Sequence, residues 1–252
     1  MLVTILGCGT STGVPELGCR CKVCRSDDFR DRRLRTSVHV EIDGVSLLLD
    51  CGPDFREQAI RASLKSIDAV LISHTHYDHV AGIDDLRPFT RFNPIDIYCN
   101  NISKTYLERN FSYCFGMDKY PGSPRLELHE IKAGEGFEVK GVQILPLEVM
   151  HGKLPVLGYR IGGMAYITDM SLMREETFCR LGGLDLLLVN ALRIEPHATH
   201  QSLGEAIDLS KRIAAKKTVF IHMSHQIGLH REVCESLPES MSLAYDGQIF
   251  EV

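Results

Sequence analysis

Five times along this chain an apolar stretch of strand length gives way to a histidine or an aspartate: Asp50, His74, His151, Asp169 and His222. The stretches ahead of them cover 45–49, 67–73, 137–147, 164–168 and 218–221. Short runs of this kind, rich in Val, Ile and Leu, read as buried strands. A sheet that gathers its strand ends at one edge brings the five polar groups toward one another. Groups just beyond strand ends are held by the sheet, while their loop tips stay open to solvent.

The rest of the pattern supplies a frame for those strands. Residues 2–6 form a strand that runs into a loop of Gly, Ser and Thr over 7–13. Segments 37–42 and 45–49 flank Asp43-Gly44, and 157–161 and 164–168 flank Gly162-Gly163; both read as hairpins. Further strands fall at 95–99, 125–131 and 184–190. Helices fall at 55–63 and 202–215, the second with Leu203, Ala206, Ile207, Ile213 and Ala214 near one face. Ser202 and Glu205 have capping-box spacing at its start. The 252 residues, 44% apolar, suffice for a substantial core, and no linker or repeat divides them. The expectation is one domain over 1–252.

A net charge of −5 argues against a chain that coats nucleic acid by bulk charge. The basic stretch 30–35 reads as a solvated face before it reads as a phosphate contact. No export signal precedes the first strand, and no apolar run reaches membrane-spanning length. These features predict a soluble, cytoplasmic protein. Its nine cysteines are then reduced thiols or metal ligands, with Cys8, Cys51, Cys99, Cys114, Cys179 and Cys234 as core or near-core residues.

The densest chemistry is His74-Thr75-His76-Tyr77-Asp78-His79. Imidazole nitrogen and carboxylate oxygen suit Zn²⁺, Mn²⁺ or Fe²⁺. His74 and His76 are two apart, so in extended chain they project to one side. Asp78 and His79 follow a turn and are free to address a second ion beside the first. A single-ion site using His74 and His76 is the rival reading, and a solvated polar loop is the bland one.

This His-x-His-x-Asp-His segment after an apolar strand resembles the signature of the metallo-β-lactamase superfamily. So do the early Leu-Gly-Cys-Gly-Thr-Ser loop, the Leu48-Leu49-Asp50-Cys51-Gly52 strand end, and the later His151, Asp169 and His222 in that order. The resemblance implies an α+β fold, a four-layer αββα sandwich with the metal site at one edge. It implies one ion on His74, His76 and His151, a second on Asp78, His79 and His222, and Asp169 between them. Asp50 would then support a ligand from behind.

Cys19, Cys21 and Cys24 form a second cluster, whose spacing can close three thiols on one tetrahedral Zn²⁺. His225 is a plausible fourth ligand; reduced, unmetallated thiols are the alternative. Together with Gly13-Val14-Pro15 and His222-x-Ser224-His225-Gln226, this cluster is similar to the PhnP-type phosphodiesterases. That resemblance implies a structural zinc on Cys19, Cys21, Cys24 and His225, and two active-site ions, Zn or Mn. It implies hydrolysis of a small cyclic phosphodiester; two-ion chemistry then makes hydroxide generated at the ion pair the expected attacker, with Asp78 orienting it. It also suggests a homodimer. His200, with His197 as competitor, falls where the family has a catalytic histidine near the phosphate. The stretch 100–123, with Tyr106, Tyr113, Phe115 and Tyr120, has no assigned counterpart, which leaves the substrate open. A tRNA 3′-processing nuclease on the same fold and a non-catalytic metal-binding module are the alternatives.

Overall fold

The computed structural model describes residues 1–91, 93–116 and 122–252, so Tyr120 lies outside the described residues. Fourteen strands among them form two sheets of seven. The first sheet holds β1 (Leu2–Gly7), β2 (Ser37–Ile42), β3 (Val45–Leu49), β4 (Ala69–Leu71), β5 (Ile95–Cys99), β6 (Leu126–Glu130) and, at its far edge, β14 (Ile249–Glu251). The second holds β7 (Phe137–Val139), β8 (Val142–His151), β9 (Leu154–Ile161), β10 (Met164–Ile167), β11 (Leu186–Asn190), β12 (Lys217–Ile221) and β13 (Met241–Leu243). Their orders are β14-β1-β2-β3-β4-β5-β6 and β13-β12-β11-β10-β9-β8-β7.

Each sheet is antiparallel on one side and parallel on the other: β3 to β6 run parallel, as do β10 to β13. Parallel strands are covered on both faces, which accounts for the apolar runs 47–49 in β3 and 186–189 in β11. Val45, Leu47, Leu49, Ala69 and Leu71 turn to the core shared with the second sheet. Leu48, Val70 and Ile72 turn the other way. There they meet α1 (Phe55–Arg61), α3 (Asn101–Asn110) and α4 (Ser112–Phe115) through Phe55, Ala59, Leu107 and Cys114; the short α2 (Tyr77–Val80) lies in the histidine loop. Beside the second sheet run α5 (Glu175–Phe178), α6 (Leu203–Ile213) and α7 (His230–Ser236). The architecture is the α+β sandwich expected. No helix among the described residues is long and apolar enough to cross a membrane.

Several local expectations need correction. The stretch 137–147 is a hairpin of β7 and β8, because Lys140 and Gly141 both take positive φ and turn the chain. His151 is consequently the last residue of β8 rather than a residue beyond it. Strand β4 keeps only three residues of the stretch 67–73. Cys179 is exposed, not core, since it caps the end of the short α5. Within the basic stretch Arg33 alone among the arginines is buried; Arg30 pairs with Asp28 and Arg35 with Asp54, both partly exposed, and Arg32 is exposed. Ser202 and Glu205 do form the reciprocal capping box.

Candidate metal centre

The carboxyl ends of the parallel strands line up, and that alignment builds the site. In the first sheet Leu49 pairs with Leu71, so the next residues, Asp50 and the 72–74 segment, leave the sheet side by side. In the second, Ile167 pairs with Val189 and Asn190 with Ile221, so Asp169 and His222 emerge around Asn190. Asp50, Asp169 and His222 all take left-handed φ, at 59°, 55° and 54°. That conformation costs a non-glycine residue about 1–3 kcal/mol and is a recurrent mark of functional sites. It bends the chain sharply enough to aim each side chain across the sheet edge.

The histidine loop is pinned against the end of β3. Cys51 N donates to His79 O at 2.8 Å, and Gly82 N to Cys51 O at 2.9 Å. A Cβ on Gly52 would stand 2.0 Å from Asp78 O, so the approach requires glycine there. Ser73 N and Ser73 Oγ both donate to the Asp50 carboxylate. Across the sandwich, the Tyr166 hydroxyl donates to the same carboxylate and the Tyr159 hydroxyl to Ile72 O. On the far side, Asn190 brackets Met170, donating from Nδ2 to its carbonyl and accepting its N–H, which fixes the residue after Asp169.

All seven residues expected at the ion pair converge. His74, His76 and His151 bring ligand-type atoms within 4.8 Å of one another, as do Asp78, His79, Asp169 and His222. The two oxygens of Asp169 face different neighbours: Oδ2 is 3.2 Å from His79 Nε2, and Oδ1 is 3.2 Å from His222 Nε2. His151, Asp169 and His200 form a further such group. His200 Nε2 lies 3.1 Å from Asp169 Oδ1, while His197 sits one step farther out, its Nδ1 3.2 Å from His200 Nδ1. His76 and Tyr77 are exposed, so the centre opens to solvent at that end. A cavity of about 500 Å³ lies elsewhere, against β1 to β3, and no residue of the centre lines it.

The electrostatics fit a cation. Burial pushes His74 and His222 down, His222 to about 4, so both rings are neutral and carry a lone pair. Burial acts the same way on His79, but the carboxylates of Asp169, Asp78 and Asp50 outweigh it and hold that ring's pKa well above the ordinary value. Burial raises the Asp78 and Asp169 carboxyls, and the facing imidazoles overcome it and hold both well below the usual range. Three buried carboxylates around one point need compensating positive charge. His79 Nε2 is buried, 3.2 Å from both Asp78 Oδ2 and Asp169 Oδ2, yet has no hydrogen-bond partner among the described residues. An orphaned nitrogen between two carboxylate oxygens suits a metal ligand better than a core histidine.

The cysteine cluster also assembles. Cys19 Sγ and Cys21 Sγ lie 3.5 and 3.2 Å from His225 Nδ1, and all four groups share one 4.8 Å neighbourhood. The Cys24 amide, donating to Cys21 Sγ, draws that thiol down to about 6. Thiolate character is what zinc requires.

Residues 46–223 match the beta-lactamase superfamily domain. A solved diphosphatase from the PhnP family superposes with a TM-score of 0.93 at 39% identity, over 100% of this chain and 97% of that one. The chain belongs to the PhnP family of the β-lactamase superfamily. Another relative of this PhnP-family chain is an octanoyltransferase of Porphyromonas gingivalis, 44% identical over 249 residues. That match takes in 98% of this chain but only about half, 51%, of the relative. Zn²⁺-bound PqqB from Methylobacterium extorquens shares the PhnP-family chain's fold at a TM-score of 0.82 and 23% identity. Sequence reasoning missed Ser73, Tyr166 and Asn190 as supports of the centre. Ser73 adjoins the His motif, a usable signal; Tyr166 and Asn190 look like ordinary strand residues until the register is known.

Proposed function

We propose that this chain is a metal-dependent phosphoric diester hydrolase acting on a small, cyclic substrate. The observation that carries the reading is Asp169, which belongs both to the group of Asp78, His79 and His222 and to a second group with His151 and His200. In this reading His74, His76 and His151 would hold one divalent ion and Asp78, His79 and His222 the other, with Asp169 shared between them. The donor set of imidazole and carboxylate admits Zn or Mn. When bound, such a pair supplies an acidified water and neutralises charge on a phosphoryl group. Asp78 accepts a hydrogen bond from the attacking water and orients it. His200, on the Asp169 side of the centre, donates the proton that the departing alkoxide requires. Cys19, Cys21, Cys24 and His225 hold a structural zinc that fixes the loop.

The P–O–P bond of a diphosphate is a second substrate class, favoured by the diphosphatase at 39% identity. The octanoyltransferase name belongs to a protein about twice as long, and nothing in the centre calls for acyl transfer. A negatively charged chain also speaks against a tRNA substrate.

The test is turnover of bis(p-nitrophenyl) phosphate, a ribose cyclic phosphate, a cyclic nucleotide and a dinucleoside diphosphate, with Mn²⁺ or Zn²⁺, by wild type and D169N. Cyclic-ester hydrolysis that D169N reduces at least about 100-fold, beyond what outer-shell losses cost, supports the reading. Hydrolysis of only the diphosphate moves the assignment to the second class. Full turnover by folded D169N ends the two-ion scheme.

A further inference from the structure

Asp31 and Arg33 are buried charges that the centre does not use, at 2% and 1% exposure. Arg33 Nη1 donates to Ser224 O at 2.9 Å, and Nη2 to Gly228 O at 3.1 Å. Those two carbonyls bracket the single helical turn His225–Ile227. Asp31 Oδ1 accepts from Arg33 Nη2 at 3.3 Å and from His230 N at 2.7 Å. Its other oxygen accepts from Ser26 Oγ at 2.7 Å, two residues beyond Cys24. The Arg33 backbone pairs in both directions with Val14, ahead of the cysteines. The pair thus grips the cysteine loop on one side and the His225 segment on the other.

We infer that Asp31 and Arg33 are positioning residues: a buried strut that sets His225 at bonding distance from the three cysteines. The inference rests on the structural-zinc reading above. His225 reaches the cysteines from about two hundred positions away in sequence, so its placement is not fixed by local chain geometry. A tetrahedral site tolerates little error in ligand position. The planar guanidinium can hold two carbonyls and a carboxylate together, which a lysine ammonium on a flexible stem cannot reproduce. The strut has a second reach, because Ser224 lies between His225 and His222 of the ion centre. Met223 N donates to Cys8 O, and Thr10 N to Met223 O, so the segment is clamped on that side as well.

Removing one partner of a buried ion pair, as R33M does, leaves the other charge uncompensated and lowers stability whether or not zinc is bound. Melting temperature is therefore the wrong readout, and zinc retention is the right one. The full-length, zinc-loaded protein is challenged with a chromogenic chelator as wild type, R33M, R33K and C21A. The thiolate-to-metal absorption band of the cobalt-substituted proteins is recorded in parallel. C21A is expected to lack one zinc equivalent. R33M is expected to release that equivalent about 10–100-fold faster than wild type, the range for lost outer-shell support. Its cobalt band shifts or weakens, and R33K falls between the two. If R33M does not fold, S26A carries the test: faster release supports the strut and an unchanged rate overturns it. Wild-type release and an unaltered band in folded R33M, beside zinc-poor C21A, overturn the strut alone. A full zinc complement in C21A removes the cysteine-site reading and the strut with it.

Discussion

The Asp50 carboxylate accepts a 2.8 Å hydrogen bond from Nδ1 of His79, and that bond decides which nitrogen of the ring faces the ion centre. The same oxygen accepts from Ser73 Oγ and the Tyr166 hydroxyl, so one atom gathers the histidine loop and the second sheet. Asn at position 50 turns one acceptor into a donor and must break either bonds to this oxygen or the one that Ser73 N donates to the other. D50N is expected to lose about 10–100-fold in metal affinity and turnover. Metal content and kcat measured on the same preparation check it; wild-type values for both would strip Asp50 of the supporting role.

The two neighbouring histidines, His197 and His200, separate by position. His200 stands against Asp169, whereas His197 meets the centre only through His200 and Thr199. If His200 is the proton donor, H200Q loses about 10²–10⁴-fold in kcat, the usual range for a general acid, and H197A stays within about tenfold of wild type. The reverse ranking in a kcat comparison would transfer the role to His197.

Removing the cysteine cluster should act on the scaffold before the chemistry. If the cluster holds the proposed structural zinc, C21A lowers the melting temperature by on the order of 10 °C, because such an ion contributes folding free energy. Turnover per folded molecule falls far less. Thermal scans and active-site-normalised rates decide it, and abolished turnover with unchanged melting contradicts a structural role.

Asp246 offers a pH test away from both clusters. Burial pushes its carboxyl up to about 6, although Cys8 N and Leu34 N donate to it. A raised acid pKa means the folded chain binds the proton more tightly than the unfolded one. Its contribution is thus most favourable below the unfolded pKa of about 4 and is lost as pH rises through about 6, a change of about 3 kcal/mol. D246N cannot titrate. The stability deficit of D246N relative to wild type should therefore shrink between about pH 4 and pH 6 and stay constant above. Urea unfolding of both proteins across that range measures it, and comparing the pair cancels effects common to both. A deficit independent of pH would mean that Asp246 titrates normally.

What was legible in the sequence follows from what is local. The His74 to His79 cluster, the hairpin around Asp43-Gly44 and the Ser202 capping box are short-range patterns, and each was readable. The alternation of apolar run and polar terminus also placed Asp50, Asp169 and His222 correctly at strand ends. Longer-range facts were hidden. Lys140 at positive φ splits an apolar stretch into two strands, and nothing in lysine's chemistry signals that. Strands β13 and β14 are three residues each, too short for a periodic pattern, yet they close the edges of both sheets. Arg33 sits in a run of charges that reads as solvated, and only tertiary packing shows that its guanidinium is internal.

The residues of the ion centre are spread from His74 to His222 and meet only where the two sheets share an edge. A partly folded chain in which β12 has not docked owns the first histidines but not the full set. If the centre takes up divalent ions as proposed, uptake is withheld from early folding species and rewards only the finished sandwich. Divalent ions supplied during refolding should deepen the native well without accelerating the first steps toward it. Protein refolded in a chelator and loaded afterwards should acquire the same centre.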